Sequence, residues 1–192
     1  NPEHIPVISK GLGELYSSGE SDLIEFTGPW GALALQKTRM DDCQLPLIET
    51  RDYLFFVLGT PIYTELNRNT GDSVSKLLFQ KAVERPAYDF SEILSGPFAL
   101  IKINKSEQSI DVTTDLMSLI PVYGFSGDKE YIVGSHVDLV AKVSNKRRNY
   151  DLASLAEFAH SAKVTFPHTC YDQVKQFYPA SLTTCQFKGA EK

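Results

Sequence analysis

The alternation of hydrophobic and polar side chains is most regular in the middle of the chain, where it predicts two pairs of strands. In Phe98–Ile103 both alternating sets of side chains are apolar, which is typical of a strand covered on both faces. Ser109–Thr114 alternates apolar with polar residues, as expected for its antiparallel partner. Ile120–Phe125 and Glu130–Gly134 form the second predicted pair, joined by a glycine-containing turn.

The same patterns predict further elements on either side of this block. Runs of apolar and β-branched residues predict three more strands: Ala32–Gln36, Tyr53–Leu58 and Ser181–Phe187. Apolar residues at helical spacing predict four helices: Ser73–Val83, a short one after Asp89, His136–Lys142, and Leu152–Ala162 with Asp151 as its cap. In the last helix the apolar residues share one side: Leu152, Leu155, Phe158, Ala159 and Ala162. Thr169–Asp172 has a capping-box pattern, and a weak helix is expected between Ile8 and Leu23.

Length and composition narrow the class of protein. A chain of 192 residues suits one domain whose core is large enough to fold without disulfides or a structural metal. Hydrophobic residues make up 42% and charged residues 22%, which is ordinary for a globular domain. No apolar run reaches the roughly 18 residues of a membrane helix, so we expect no membrane partner.

Charge and cysteine content exclude further classes. Nineteen basic and 24 acidic residues give a net charge of −5, and the only basic cluster is Lys146–Arg148, so we expect no nucleic-acid partner. Three cysteines without a C-x-x-C spacing indicate free thiols in a reducing compartment, and hence a cytoplasmic location. His160, His168 and Cys170 have no fourth ligand at a recognised spacing, so no metal site is expected.

One motif lies inside the central block, beginning at Thr114 and ending beyond the second hairpin. It resembles the run R-D-x-x-G-x-x-P-L-Y, followed by a hairpin and A-S-E, in the glutaminase half of asparagine synthetases and other type II glutamine amidotransferases. Four residues match at the same separations: Asp115, Pro121, Tyr123 and Ser135. Three replace the Arg, Gly and Glu of the family: Thr114, Ser118 and His136. The likeness extends over roughly residues 52–187 and bears on the fold more directly than on the chemistry.

The resemblance implies a fold and a partner. The fold would be the four-layer αββα sandwich of N-terminal nucleophile hydrolases, with two mostly antiparallel sheets. It would occupy residues 1–187 as a single domain, with 188–192 as the start of a linker. The partner would be a C-terminal synthetase domain that uses ATP and Mg²⁺, as in asparagine and β-lactam synthetases, while no cofactor is expected in this domain itself. We therefore expect the natural protein to continue beyond Lys192.

Few residues match the glutamine pocket of the family. Leu58 and Gly59 lie where the family has Asn-Gly, whose Asn side chain and Gly N–H form the oxyanion hole of active members. Asp72 resembles the Asp that binds the α-amino group of glutamine, but it also suits the N-cap of the following helix, and we favour the cap. Arg39 is the candidate for the Arg that holds the glutamine carboxylate, with an ordinary surface arginine as the alternative.

The family's nucleophile has no counterpart at position 1. Active relatives begin with Cys, whose thiolate attacks the amide while the free α-amine acts as base. Position 1 here is Asn, and the first cysteine, Cys43, lies in a predicted loop. We therefore expect no catalytic residue. A remnant pocket with space for a small amino-acid-like ligand is expected instead, formed by Arg39, Leu58, Gly59 and Asp72.

Three functions fit these observations. In the first, the domain has lost its chemistry and serves as the N-terminal structural or substrate-shaping half of an asparagine synthetase-like, ATP-dependent amide-forming enzyme. In the second, it is an active glutaminase domain whose Cys lies upstream of Asn1, which an upstream M-C-G would indicate. In the third, it is a free-standing binding or interaction module, which the absence of a downstream S-G-G-x-D-S motif would indicate.

Overall fold

The computed structural model describes residues 2–15, 22–37, 47–63, 74–85, 90, 93–128 and 130–186. The chain divides into two compact units. The first comprises Asn1–Asp41, Val122–Phe177 and Phe187–Lys192, and the second comprises Asp42–Pro121 and Tyr178–Gln186. Each unit therefore combines segments that are distant in the sequence.

Helices and antiparallel strands both contribute to the described residues. The helices are α1 (Ile5–Leu15), α2 (Val74–Glu84), α3 (Val137–Val143) and α4 (Leu152–Ser161), and Pro2–His4 forms a 3-10 turn before α1. The strands are β1 (Asp22–Gly28), β2 (Gly31–Lys37), β3 (Leu47–Glu49), β4 (Tyr53–Gly59), β5 (Ile62–Tyr63), β6 (Leu94–Ser95), β7 (Phe98–Asn104), β8 (Ser109–Thr114), β9 (Tyr123–Ser126), β10 (Tyr131–Gly134), β11 (Val174–Gln176) and β12 (Leu182–Gln186). The predicted mixed α+β class is confirmed.

A five-stranded antiparallel sheet is the framework of the second unit. Its order is β12-β8-β7-β4-β3, so β7 is central and pairs with β4 on one side and β8 on the other. Every residue of β7 is buried. The prediction that this strand is covered on both faces is therefore confirmed, because both alternating sets of its side chains are withdrawn from water.

One face of this sheet packs with α2 in a single hydrophobic cluster. Its buried members are Phe55, Val57, Leu78, Ala82, Phe90, Ile93, Leu94, Phe98 and Leu100. Leu78 in the middle of α2 is completely buried, so Leu78→Ala is expected to cost about 2–5 kcal/mol. On the opposite face of the sheet Leu54, Ile101 and Ile103 are also buried.

A buried ion pair joins this sheet to the last turn of α2. The Nζ of Lys102 lies 2.7 Å from Oδ2 of Asp111 and donates to the carbonyl of Ala82 at 3.2 Å. The hydroxyl of Thr184 donates to the second carboxylate oxygen of Asp111 at 2.7 Å. Because helix ends leave carbonyl groups without intrahelical partners, the lysine both satisfies one of them and fixes α2 on the sheet.

The first unit contains a hairpin, a small sheet and three helices. β1 and β2 pair around the turn between Gly28 and Gly31. The small antiparallel sheet has the order β10-β9-β11. Helix α3 packs on this sheet through a cluster of buried residues: Phe125, Val140, Ala141 and Val174. Helix α1 contacts both α3 and β2.

Helix α4 begins as predicted but does not bury its apolar side. The carboxylate of Asp151 accepts hydrogen bonds from the backbone N–H groups of Ala153 and Ser154, which confirms the cap. Leu152 is 77% exposed and Phe158 51% exposed, whereas Ser154 is the buried residue of the helix. Helical spacing fixes which side chains share a face, but it does not determine which face packs.

Two expectations for local structure are wrong, and a third is right in type but not in its bounds. The helix expected after Asp89 does not extend to Gly96, because Leu94 and Ser95 form β6 and pair with β5. The capping-box pattern at Thr169 precedes a strand, β11, which pairs with β9. The weak helix expected between Ile8 and Leu23 is α1, which lies earlier and is followed by β1. In the first two cases strand pairing with a distant segment outweighs a local helical signal.

Candidate functional site

The second unit places Gly59 at the end of β4 in a conformation and a space that require glycine. Its φ is +81°, a region that other residues rarely adopt. A Cβ atom at this position would lie 2.4 Å from the carbonyl oxygen of Pro97 and 2.9 Å from Cγ1 of Ile120. Both distances are too short for real atoms, so a side chain here would displace the neighbouring loop.

The backbone N–H of Gly59 points away from β7. Its partner across the ladder, Phe98, uses both backbone groups on its other side: its N–H donates to Oδ2 of Asp115 at 3.3 Å, and its carbonyl accepts from the Asp115 N–H at 3.2 Å. The Gly59–Phe98 pair is therefore of the non-hydrogen-bonded type, in which the amides point outward. A backbone N–H projecting at a strand end is the kind of donor that stabilises a developing oxyanion.

Leu58, the neighbour of this glycine, brings no hydrogen-bond donor. It pairs with Ala99, is half-buried, and carries an aliphatic side chain. Any oxyanion site built at this strand end would therefore have the Gly59 amide but not a side-chain amide beside it. Loss of one such donor typically costs about 10²–10³ in rate, or roughly 3–4 kcal/mol.

Asp115 anchors the loop that packs against Gly59. Its side chain is almost completely buried, at 3% exposure. One carboxylate oxygen accepts the backbone N–H groups of Met117 at 2.8 Å and Leu119 at 3.1 Å, and the other accepts those of Ile120 and Phe98, each at 3.3 Å. A buried carboxylate with four amide donors fixes the backbone around it, because a change in the loop would break several charge-assisted hydrogen bonds at once.

The chain returns to Asp115 from the other end of the second unit. Its backbone carbonyl accepts the N–H of Ala180 at 2.9 Å, and the preceding residue, Thr114, donates its hydroxyl to the carbonyl of Tyr178. Asp115 thus joins β7, the 115–120 loop and the segment before β12. This structural role was not evident from the sequence, where Asp115 was identified only through the motif.

Ser118 occupies the position at which the resembling family has glycine. Its φ is +48°, in the left-handed region that favours glycine and costs other residues about 1 kcal/mol or more. Its Oγ is buried and makes no hydrogen bond within the described residues. The backbone here therefore has the shape that a glycine would permit without strain, although the residue is serine.

The Asp115 loop displays large apolar side chains. Leu116 is 74% exposed, Met117 70% and Leu119 58%. Their backbone is held by the Asp115 carboxylate, so they are presented from a fixed loop. Fixed and exposed apolar side chains are a feature of interaction surfaces in folded proteins.

Other residues predicted for the site are not placed by the structure. Arg39, Asp72 and Cys43 lie outside the described residues, so of the four residues predicted to form a remnant pocket the structure places only Leu58 and Gly59. Ser135 and His136 of the motif belong to the first unit, where the Ser135 Oγ and the His136 Nδ1 are 3.0 Å apart. The described part of the chain contains no group of three or more His, Cys, Asp or Glu side chains that could hold a metal ion.

The tyrosine that ends the motif is held in its neutral form. Burial raises the pKa of Tyr123, and the nearby Asp138 carboxylate raises it further. In Tyr171, burial and then the hydrogen bond donated to Asp138 raise the pKa to about 12. Neither Tyr123 nor Tyr171 is therefore deprotonated and able to act as a base at neutral pH.

Comparison with known proteins adds no relative. No protein-family model matches the chain, and no curated protein matches it. No helix in the described ranges is long and apolar enough to cross a membrane.

Proposed function

We propose that this chain is a non-catalytic domain of the glutaminase type, which forms the N-terminal half of an asparagine synthetase-like, ATP-dependent amide-forming enzyme. The single observation that carries the proposal is the arrangement around Asp115. Asp115 of the motif anchors the 115–120 loop. In this loop Ser118, at the family's glycine position, has a left-handed backbone, and Ile120 lies against Gly59, the glycine that matches the family's Asn-Gly. A motif matched by chance has no reason to bring these three features together.

The proposed loss of activity rests on the chemistry of the strand end. Gly59 retains the outward amide that an oxyanion needs, while Leu58 replaces the side-chain donor beside it. The scaffold of the site is therefore kept and part of its polar machinery is replaced by an apolar group. Such a site could still accept a small amino-acid-like ligand without hydrolysing it.

The proposal extends to the arrangement of layers. The five-stranded sheet packs α2 on one face, and its other face is buried too. A sheet buried on both faces suits an inner layer of a four-layer αββα sandwich, in which helices lie outside two packed sheets. The partner in function would be a C-terminal synthetase domain, which would bind ATP and Mg²⁺, so that none is required in this domain.

Glutamine hydrolysis by the purified 192-residue chain tests the loss of activity. We expect glutamate release to be slower by at least about 10²–10³-fold than in an active glutaminase, because Leu58 brings no side-chain donor to the oxyanion position. A Cys43→Ala variant serves as the control. Turnover that disappears in this variant would identify Cys43 as the nucleophile and contradict the proposal.

The role beside a synthetase is tested separately on the full-length natural protein. We expect ATP-dependent amide formation with ammonia as the nitrogen source and no stimulation by glutamine. An open reading frame without a synthetase half would overturn this part of the proposal, and it would favour a free-standing binding module.

A further inference from the structure

The first unit contains a cavity of about 80 Å³ between α1, α3, β2 and the end of β10. Six aliphatic side chains from helices and strand β10 supply most of its wall: Ile8, Leu12, Ile132, Leu139, Val140 and Val143. Ala34 of β2 closes one side. The cavity is separate from the Gly59 site, which belongs to the second unit.

Two close contacts prevent the elements around the cavity from approaching one another further. A Cβ atom on Gly11 would lie 2.4 Å from Cδ1 of Leu139, so α1 and α3 already touch there. A Cβ on Gly134 would lie 3.0 Å from Cγ2 of Val140, so the end of β10 and α3 are also in contact. Since these elements cannot approach further at either point, the space between them does not close by simple collapse.

The polar groups of the cavity are concentrated at one end. Ser135 and His136 both line it, and the Ser135 Oγ lies 3.0 Å from the His136 Nδ1. His136 is the residue before α3, yet its side chain makes no capping hydrogen bond to the helix. Its ring is instead engaged with the neighbouring serine at the edge of the cavity.

The lining side chains indicate the size and polarity of a ligand that the cavity would accept. A bound water requires about two to four polar partners around it. Among the described lining residues only Ser135 and His136 have polar side chains, so most of the wall offers a water no partner. A cavity of about 150 Å³ accepts benzene, so roughly half that volume accepts about three to five non-hydrogen atoms.

We propose that this cavity is a binding site for a short aliphatic molecule of three to five carbons with one hydrogen-bonding group. The aliphatic part would contact the six aliphatic side chains, and the polar group would lie against Ser135 and His136. The site is independent of the proposed function, because none of its lining residues belongs to the unit that contains Gly59.

Titration of methyl-labelled protein with isobutanol tests the site. Saturable chemical-shift changes are expected at the methyl groups of Ile132, Leu139 and Val140, at millimolar ligand because so small a molecule cannot bind tightly. Xenon is the second probe, since it fills an apolar cavity and forms no hydrogen bond. Shifts that do not saturate, or that lie mainly at methyl groups outside the cavity, would overturn the proposal.

Three variants separate the volume of the cavity from its polar end. Ser135→Ala should weaken isobutanol binding by about 2- to 10-fold, as expected for one hydrogen bond, and leave xenon unchanged. Ala34→Leu should abolish the binding of both isobutanol and xenon, because the three added carbon atoms occupy the cavity. Ala32→Leu is the matched control, since Ala32 lies on the same face of β2 but does not line the cavity.

The variants remain decisive if the larger substitution prevents folding. Ala34→Val adds less volume and should weaken both probes by several-fold. Equal loss of isobutanol and xenon in Ser135→Ala would show that the serine acts only on structure, and it would overturn the assignment of a polar end. Unchanged binding in Ala34→Leu or Ala34→Val would overturn the cavity itself.

Discussion

Asp151 in the first unit and Asp115 in the second each stabilise the segment that follows, but in different ways. Asp151 precedes helix α4, whereas Asp115 precedes an irregular loop. Asp151 caps α4 through the N–H groups of residues two and three positions ahead and through the hydroxyl of Ser154. Asp115 accepts four backbone N–H groups, one of them from Phe98, 17 residues earlier. The first contact is local and partly solvated, whereas the second is buried and joins distant parts of a unit.

The difference shows how much a carboxylate contributes when water cannot replace it. If Asp151 is removed, solvent can reach the first turn of α4. If Asp115 is removed, four backbone N–H groups lose their acceptor, and that of Phe98 is buried where water cannot easily replace the carboxylate. The segment after Asp115 is also irregular, with one backbone turn hydrogen bond, from the Ser118 N–H to the Asp115 carbonyl at 3.1 Å.

The largest effect is expected for Asp115→Ala. It should lower the free energy of unfolding by about 3–5 kcal/mol, because the buried N–H of Phe98 and three partly buried N–H groups of the loop lose their acceptor together. Asp115→Asn should cost less, since the amide keeps one acceptor oxygen. Urea denaturation of both variants measures this order, and a loss below about 1 kcal/mol in Asp115→Ala would contradict the anchoring role.

The next effect concerns the glycine that packs against the Asp115 loop. Gly59→Ala should cost about 2–4 kcal/mol, from a positive φ and from overlap with the Pro97 carbonyl. Gly13→Ala in α1 is the matched control, because a Cβ there meets nothing within 4 Å and a helix favours alanine by about 0.5–1 kcal/mol. Opposite signs in urea denaturation are expected, and a neutral Gly59→Ala would show that the loop moves freely.

Local signals predicted most of the framework correctly. The two apolar sets of β7 identify a strand buried on both faces, and Asp151 identifies the start of α4, because each signal concerns neighbouring residues. The pattern at Thr169 gave a wrong expectation, and the apolar residues that share one side of α4 are mostly exposed. Both depend on what the segment packs against, and periodicity carries no information on that.

The candidate site shows the same limit. Gly59 could be found because a motif points to it, but its outward amide follows from the hydrogen bonds of Phe98 with Asp115. Those bonds, and the one from Ala180, connect residues far apart in sequence. Arg39 and Asp72 stay predictions, since they lie outside the described residues.

A small effect is expected for Asp151→Ala, with a loss of about 2–4 °C in melting temperature for a chain of this size if the cap has its typical strength. The hydrogen bond from the Ser154 hydroxyl, followed by that from the Ser154 amide, lowers the pKa of Asp151. A lowered pKa means that the stabilisation is present above the ordinary aspartate value of about 3.9 and is lost as pH falls through the lower value of the folded state.

Melting temperatures at several pH values check this sign. The difference between wild type and Asp151→Ala should be constant near neutral pH and should shrink only in the acidic range below about 3.9. Asp151→Asn is the control, because asparagine also caps helices but does not titrate. A difference that grew as pH fell would show that the carboxylate acts through something other than this cap.

The smallest effect is expected for Phe158→Ser on the exposed side of α4. A core position would lose about 3–5 kcal/mol on truncation of phenylalanine, but Phe158 is 51% exposed. Serine and phenylalanine have similar helix propensities, so the free energy of unfolding should change by about 0.5 kcal/mol or less. Leu78→Ala in α2 is the buried counterpart and should cost about 2–5 kcal/mol in the same urea experiment. If Phe158→Ser matched that loss, the apolar side of α4 would be packed in solution and the contrast between the two helices would fail.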